Sequence, residues 1–330
     1  NSMSSQFRSQ VIKGVSWTTI ARFSEKGIGY VRIAILARIL SPTDFGVFGV
    51  ALLTLSLFET LSETGITEAL IQKKSDVSKE LTTAWVILII RGLFVFTLIT
   101  ALSPFLNSFF SLSDPWIITI TASTILLRSF TNPAIMLWRK HLQFKTEVSF
   151  QLYGSIAELI TAILFALYTP TYWALAFGFI SKALVQWGYS WLKAPKIFSP
   201  FNSKAAVSLI KFGRWINANS ILSYATHEGD DIVVGRLLDS QQLGLYQQAY
   251  KFSLVPLTGN IFSHFSYPLI SIQSTNAAKL EKTFKLTWAA SYFSFFVGAI
   301  IFLYTKQFVL IVLGQNWLAM TIPLKILIIY

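Results

Sequence analysis

The chain has 330 residues, 53% of them hydrophobic and 13% charged, with a net charge of +12. An average soluble domain is about 25% charged, and this chain's mean hydropathy is +0.57, so the composition is that of a helical membrane protein. It has no cysteine, which excludes disulfides, thiolate catalysis and cysteine metal sites. No apolar segment followed by a small-residue cleavage site opens the chain, so the first spanning helix is expected to act as its own insertion signal.

That first helix organises the rest. Val11 to Leu36 is apolar and long enough to span a bilayer, for which about 20 residues suffice. Arg22, Glu25, Lys26, Gly29 and Arg32 fall within one arc of about 120°, a polar stripe along an otherwise apolar helix. Ionisable groups at membrane depth face a bundle interior or a watery cavity and mark a substrate path. The plainer alternative is an ion pair of Arg22 with Glu25 at a packed helix contact.

Helices are expected near 11–38, 43–71, 80–110, 115–138, 146–168, 171–193, 205–236, 242–272, 281–304 and 317–330. Ser41-Pro42-Thr43-Asp44 reads as a cap, a proline at the first helical position and an acid at the third. Asp114-Pro115 and Thr169-Pro170 read as the same cap-then-proline signal for the fourth and sixth helices. Arg91, Arg128, Glu158 and Lys182 fall near the middle of helices three to six, and Lys251 within helix eight.

Basic residues crowd the connections after even-numbered helices: Lys73, Lys74 and Lys79; Arg139, Lys140 and Lys145; Lys193, Lys196, Lys204 and Lys211; Lys279, Lys282 and Lys285. The positive-inside rule then places these loops and the N-terminus in the cytoplasm, against anionic lipid. Nucleic acid is not an expected partner, because the charge is spread over every such loop instead of forming one face.

An internal repeat is legible. Leu36-Ala37-Arg38-Ile39-Leu40, then Gly46, Phe48 and Ala51, recurs as Val234-Gly235-Arg236-Leu237-Leu238, then Gly244, Tyr246 and Ala249. Six helices separate the copies, so both enter from the same side, as parallel repeats about an axis along the membrane normal. The expected architecture is an all-α, polytopic, two-lobed bundle. Residues 1–200 form the N-terminal lobe (helices one to six) and 201–330 the start of a C-terminal lobe, cut off within helix ten.

The stretches LARILSPTDFGVFGVA, ETLSETGITEALIQKK, ELTTAWVI and DIVVGRLLDSQQLGLYQQAYKFSLVP resemble the polysaccharide transporter family, specifically its colanic-acid-exporter-like Wzx flippases. That family belongs with the multidrug and toxic-compound extruders and the lipid II flippases. The resemblance implies a flippase of the bacterial inner membrane, not an enzyme. It would move undecaprenyl-diphosphate-linked oligosaccharide across the membrane by alternating access, for exopolysaccharide, capsule or O-antigen synthesis, beside polysaccharide assembly enzymes. The acidic run His227-Glu228-Gly229-Asp230-Asp231 departs from the family pattern.

A diphosphate crossing hydrocarbon needs cations and polar walls, and Arg suits phosphate through its paired, permanently charged donors. Arg22, Lys26, Arg32, Arg91, Arg128, Lys182 and Lys251 are the candidate cavity cations, although Glu59, Glu158 or backbone carbonyls could occupy some of them. Glu25, Glu158, Asp230 and Asp231 are the candidate gating or coupling acids, with a proton or sodium ion as coupling ion and no other cofactor expected. The repeat overlays Arg32 on Asp230, so these two either meet across the lobes as a gate or pair within their own lobes, Arg32 with Glu25 and Asp230 with Lys251. A multidrug antiporter of the same fold is the alternative function. A membrane glycosyltransferase or polymerase using Asp230-Asp231 is a weaker one, since that pair lies in an apolar helix and not in a long loop. His141, His227 and His264 lack metal-ligand spacing, so no metal site is expected.

Overall fold

A computed structural model describes residues 23–73, 77–141, 143–197, 199–256 and 277–329, and all regular structure among them is helical. Arg22 and most of the eighth expected helix lie outside the described residues. The elements are α1 (residues 23–36), α2 (Pro42–Leu61), α3 (Ile66–Gln72), α4 (Leu81–Phe109), α5 (Ile117–Ser129), α6 (Met136–Lys140), α7 (Phe144–Tyr168) and α8 (Trp173–Lys193). After them come α9 (Ser203–Leu237), α10 (Ser240–Ser253), α11 (Ala277–Leu303), α12 (Thr305–Val312) and α13 (Thr321–Ile329).

Local chemistry sets the boundaries. Ser41 caps α2 as the sequence predicts: its Oγ accepts from Asp44 N at 3.3 Å, and the Asp44 carboxylate accepts from Ser41 N at 2.9 Å. The other two cap-then-proline signals act differently. Asp114 Oδ1 accepts from Trp116 N at 2.8 Å in a turn before α5, and α8 starts only at Trp173, so Pro115 and Pro170 lie in connections and not at the first helical position. Two expected helices are broken. Gly65, at φ +55°, separates α2 from α3, and Asn132-Pro133 separates α5 from α6. Asn132 is extended before the proline, and its Oδ1 accepts from Ala134 N at 2.9 Å.

By length and composition, α2, α4 with its leading turn (Ser78–Phe109) and α7 can each cross a membrane. Thr287–Leu303 and Thr305–Val312 form a further apolar pair bent by 86°, where the sequence reading expects a loop after residue 304. The long helices α8 and α9 are more polar, interrupted by Lys182 and Gln186 and by Glu228, Asp230 and Asp231.

The chain divides into two compact units, Asn1–Leu243 and Gly244–Tyr330. The repeat instead places a boundary near residue 200. The difference is α9, which packs against α2, α3 and α4 and whose Tyr224 hydroxyl donates to Leu53 O at 3.0 Å.

Within the first unit, alternating helix direction brings the connections together at two ends. At one, Tyr172 N donates to Asp44 Oδ1 at 3.0 Å and Tyr172 Oη to Asp114 Oδ2 at 2.7 Å, joining the connections before α2, α5 and α8. At the other, Lys140 Nζ donates to Lys73 O at 2.8 Å, Asn132 Nδ2 to Pro195 O at 3.0 Å and Asn202 N to Thr83 Oγ1 at 3.0 Å. This second end carries the Lys- and Arg-rich connections. It is filled by a core that includes Leu70, Leu81, Trp138, Phe150 and Leu209.

Helices cross closely where residues are small. A Cβ on Gly178 of α8 would lie 2.8 Å from Ala162 Cβ and 3.0 Å from Glu158 O of α7, and one on Gly92 of α4 would lie 2.5 Å from Ser129 Cβ at the end of α5. In the second unit Leu313, Trp317, Met320 and Leu324 are fully buried, and Gly314, at φ +100°, turns the chain out of α12.

Candidate functional site

The polar stripe of α1 meets its partners on α7 and α8. Glu25 and Arg32 are two turns apart on one face. Arg32 forms an ion pair with Glu158 of α7, which is only 8% exposed. Lys182 of α8 reaches Glu158 at 3.4 Å and Glu25 at 3.7 Å. The geometry depends on the glycine crossing: Gly178 lets α8 lie against the Glu158 carbonyl, and Lys182 follows one turn later on the same face.

A second set adjoins the first. Arg128 of α5 approaches Glu59 of α2 at 3.3 Å, and Arg91 Nη2 of α4 donates to Glu59 O at 2.8 Å while its Nε donates to Ser62 Oγ at 3.1 Å. The Arg128 guanidinium also lies 4.9 Å from the centroid of the Phe179 ring. Phe179 and Lys182 share a face of α8, and Lys182 is within electrostatic reach of both Arg32 and Arg128. Six helices of one unit therefore bring Glu25, Arg32, Glu59, Arg91, Arg128, Glu158 and Lys182 into one polar seam.

The charge on α1 is balanced from α7, which supplies Glu158 to Arg32, while Glu59 of α2 serves Arg128 of α5. Arg32 takes neither Asp230 nor Glu25 but Glu158, one of the acids expected from the sequence to occupy some of the cavity cations. Arg32 retains one buried donor, Nε, with no acceptor among the described residues. Lys26 is exposed on α1. Asp230 is exposed and Asp231 half-buried on α9, and Asp230 Oδ1 accepts from Asp231 N at 3.0 Å. Lys251 is exposed on α10 in the second unit. Among the described residues no cluster of acids and histidines could hold a metal ion.

A cavity of about 300 Å³ opens beside this seam, with Arg128 on its wall and Thr131, Trp138, Gln151 and Gln186 around it. The sequence reading did not anticipate it. Its only signal there is the Thr131-Asn132-Pro133 break, which ends α5 and leaves room between α3, α6, α7 and α8.

The chain is 26% identical to the lipopolysaccharide biosynthesis protein WzxC of Escherichia coli K12 over 94% of its own length and 64% of that protein's. It is also 26% identical to the succinoglycan biosynthesis transport protein ExoT of Rhizobium meliloti, over 74% of this chain and 50% of that one. It thus spans about half to two thirds of the length of these curated relatives. Its fold matches that of the lipid II flippase MurJ in an inward closed conformation, with a TM-score of 0.70 at 17% identity, covering 94% of this chain and 71% of that one. The profile of the polysaccharide biosynthesis protein family matches residues 35–322, and the chain belongs to that family.

Proposed function

We propose that this chain is part of a flippase that moves an undecaprenyl-diphosphate-linked oligosaccharide across the bacterial inner membrane by alternating access. The observation that carries this reading is the polar seam: four cations and their counter-carboxylates gathered by six helices, of which α2, α4 and α7 are long and apolar enough to cross a membrane. A flippase fold and relatives named for lipopolysaccharide and succinoglycan synthesis support it.

The seam works by exchange of counter-ions. In the empty protein, carboxylates neutralise the cations, which keeps the desolvation cost of buried charge bearable. An entering diphosphate offers oxygens that Arg32 and Lys182 can take in place of Glu158, and Arg32 Nε is a donor already in place for a second bond. By helical periodicity Arg22 and Lys26 belong to the same stripe and are further ligands for the diphosphate. Asp230 and Asp231 of α9 and Lys251 of α10 serve as gating and ligand groups, and a proton or sodium ion on Glu158 is the coupling step. The end rich in Lys and Arg faces the cytoplasm, against anionic lipid.

The test is removal of the protein from cells that make the polysaccharide. Lipid-linked repeat units should then accumulate on the inner leaflet, and restoring the protein should clear them. A multidrug antiporter, the second reading, uses Glu158 as its titrating acid and is separated by efflux of a cationic dye. Dye efflux without repeat-unit accumulation would replace the flippase reading with that one.

A further inference from the structure

We propose that the cavity beside Arg128 is a sugar-binding subsite, which takes a hexose of the transported oligosaccharide while the diphosphate lies in the charged seam. The link between sugar and diphosphate rests on the flippase reading; the chemistry of the cavity does not. At about 300 Å³ the space is at the small end of the roughly 300–1,000 Å³ typical of small-ligand pockets. That suits a sugar residue better than a long glycan.

The walls select against other ligand classes. A small anion would face Glu147, and the nearby Arg139 is already ion-paired with that carboxylate. A cation would face Arg128, whose guanidinium is held at the wall by Glu59 and Phe179. A purely apolar ligand would strand the amides. Gln186 Nε2 donates to Gln151 Oε1 at 3.0 Å, and among the described residues this is the one bond either side chain makes. The pair therefore keeps the Gln151 amide hydrogens and the Gln186 carbonyl free, donors and an acceptor side by side. An uncharged ligand dense in adjacent hydroxyls satisfies both and pays for neither charge.

The rest of the cavity fits the same ligand. Its lining also has an apolar part, where the half-buried side chains of Leu88 and Ile135 offer a surface against which the C–H face of a sugar ring can pack. Asn132, although it lines the space, is spent on structure: its Oδ1 and Nδ2 bond Ala134 N and Pro195 O. The glutamine pair is positioned by a glycine, since a Cβ on Gly154 would lie 2.9 Å from Gln186 Cγ. Arg128 stands at both sites, lining the cavity and closing the charged seam, so a diphosphate in the seam holds its first sugars within reach of the glutamines.

The experiment uses the full protein in lipid nanodiscs, with saturation-transfer NMR of methyl glucoside, methyl galactoside and N-acetylglucosamine, and with inorganic pyrophosphate as a separate probe of the charged seam. At least one sugar should bind, and Gln151→Leu with Gln186→Leu should weaken it about tenfold, the loss expected from removing one or two hydrogen bonds. Pyrophosphate binding should be unchanged in that variant, which also shows that it is folded. Gly154→Ala, which only displaces Gln186, should weaken the same sugar without touching either glutamine. Absence of binding by all three sugars in the unaltered protein would overturn the subsite, as would binding that survives the glutamine changes. Glutamine-dependent sugar binding without pyrophosphate binding would uphold the subsite and count against the charged seam of the flippase reading instead.

Discussion

Arg32 of α1 and Glu158 of α7 form an ion pair, and Lys182 of α8 shares the same carboxylate at 3.4 Å. One acid thus pairs with cations from two helices, and Glu25, 3.7 Å from Lys182, supplies the second negative charge. Breaking a buried pair by removing one partner typically costs about 3–5 kcal/mol, because the other charge is left uncompensated. Glu158→Gln strands Arg32 and leaves Lys182 with Glu25 alone, so it should be the most destabilising single change in the seam, read as a lowered melting temperature in nanodiscs. The exchange Arg32→Glu with Glu158→Arg should recover part of that loss. An unshifted melting temperature for Glu158→Gln would show that the pair is not formed in the membrane.

The α7–α8 crossing is the second point of leverage. Gly178 has no room for a Cβ against Ala162 and the Glu158 carbonyl. Overpacking of this kind costs about 1–3 kcal/mol, and here it would also push Lys182 away from Glu158. Gly178→Val should therefore lower both stability and transport, whereas Gly188→Ala on the same helix, where a Cβ meets nothing within 4 Å, should lower neither.

How much of this was legible in the sequence differs by feature. The α1 stripe, the capping box at Ser41 and Glu158 as an acid within reach of the cavity cations follow from periodicity, cap chemistry and the cost of charge in hydrocarbon. The partner of Arg32 does not, because a single helix shows only which face is polar and not which neighbour meets it. The helix breaks at Gly65 and Asn132-Pro133 carry plain local signals, but long apolar runs on either side outweigh them when segments are assigned by length. Pro115 and Pro170 misled in the opposite sense: Asp114 and Asp44 are drawn into bonds with Trp116 and Tyr172, and the helices start later. The placement of α9 with the first unit is a matter of packing that no repeat could reveal.

At the end of the bundle away from the basic connections, Tyr172 ties Asp44 to Asp114. Burial, the hydrogen bond to Asp114 and the charges of Asp114 and Asp44 push its phenol up to about 12. A raised value means that the neutral phenol is favoured in the folded state. Its contribution is thus complete below the ordinary value near 10 and is lost as pH rises from there through 12. Amide exchange in residues 112–116 and 169–173 should accelerate over that window. Tyr172→Phe should abolish the pH effect and cost about 0.5–1.5 kcal/mol at neutral pH.

Topology can be read directly, since the chain has no cysteine. Glu68 of α3 and Ser113, before α5, are both exposed and lie at opposite ends of the first unit. With single cysteines introduced, an impermeant reagent applied to spheroplasts should label position 113 and spare position 68. The reverse pattern would invert the proposed orientation.

The most direct test of the account is transport itself. Vesicles containing the purified full-length protein, loaded in one leaflet with undecaprenyl-diphosphate-linked oligosaccharide, should expose that lipid to an added glycosidase in the other leaflet. Charge-neutral Arg32→Gln with Lys182→Gln should reduce the rate by at least about tenfold, the equivalent of one charge-assisted bond to phosphate. A rate in protein-containing vesicles no greater than in empty ones would contradict the proposed function. A full rate in the Arg32, Lys182 double variant would contradict the site.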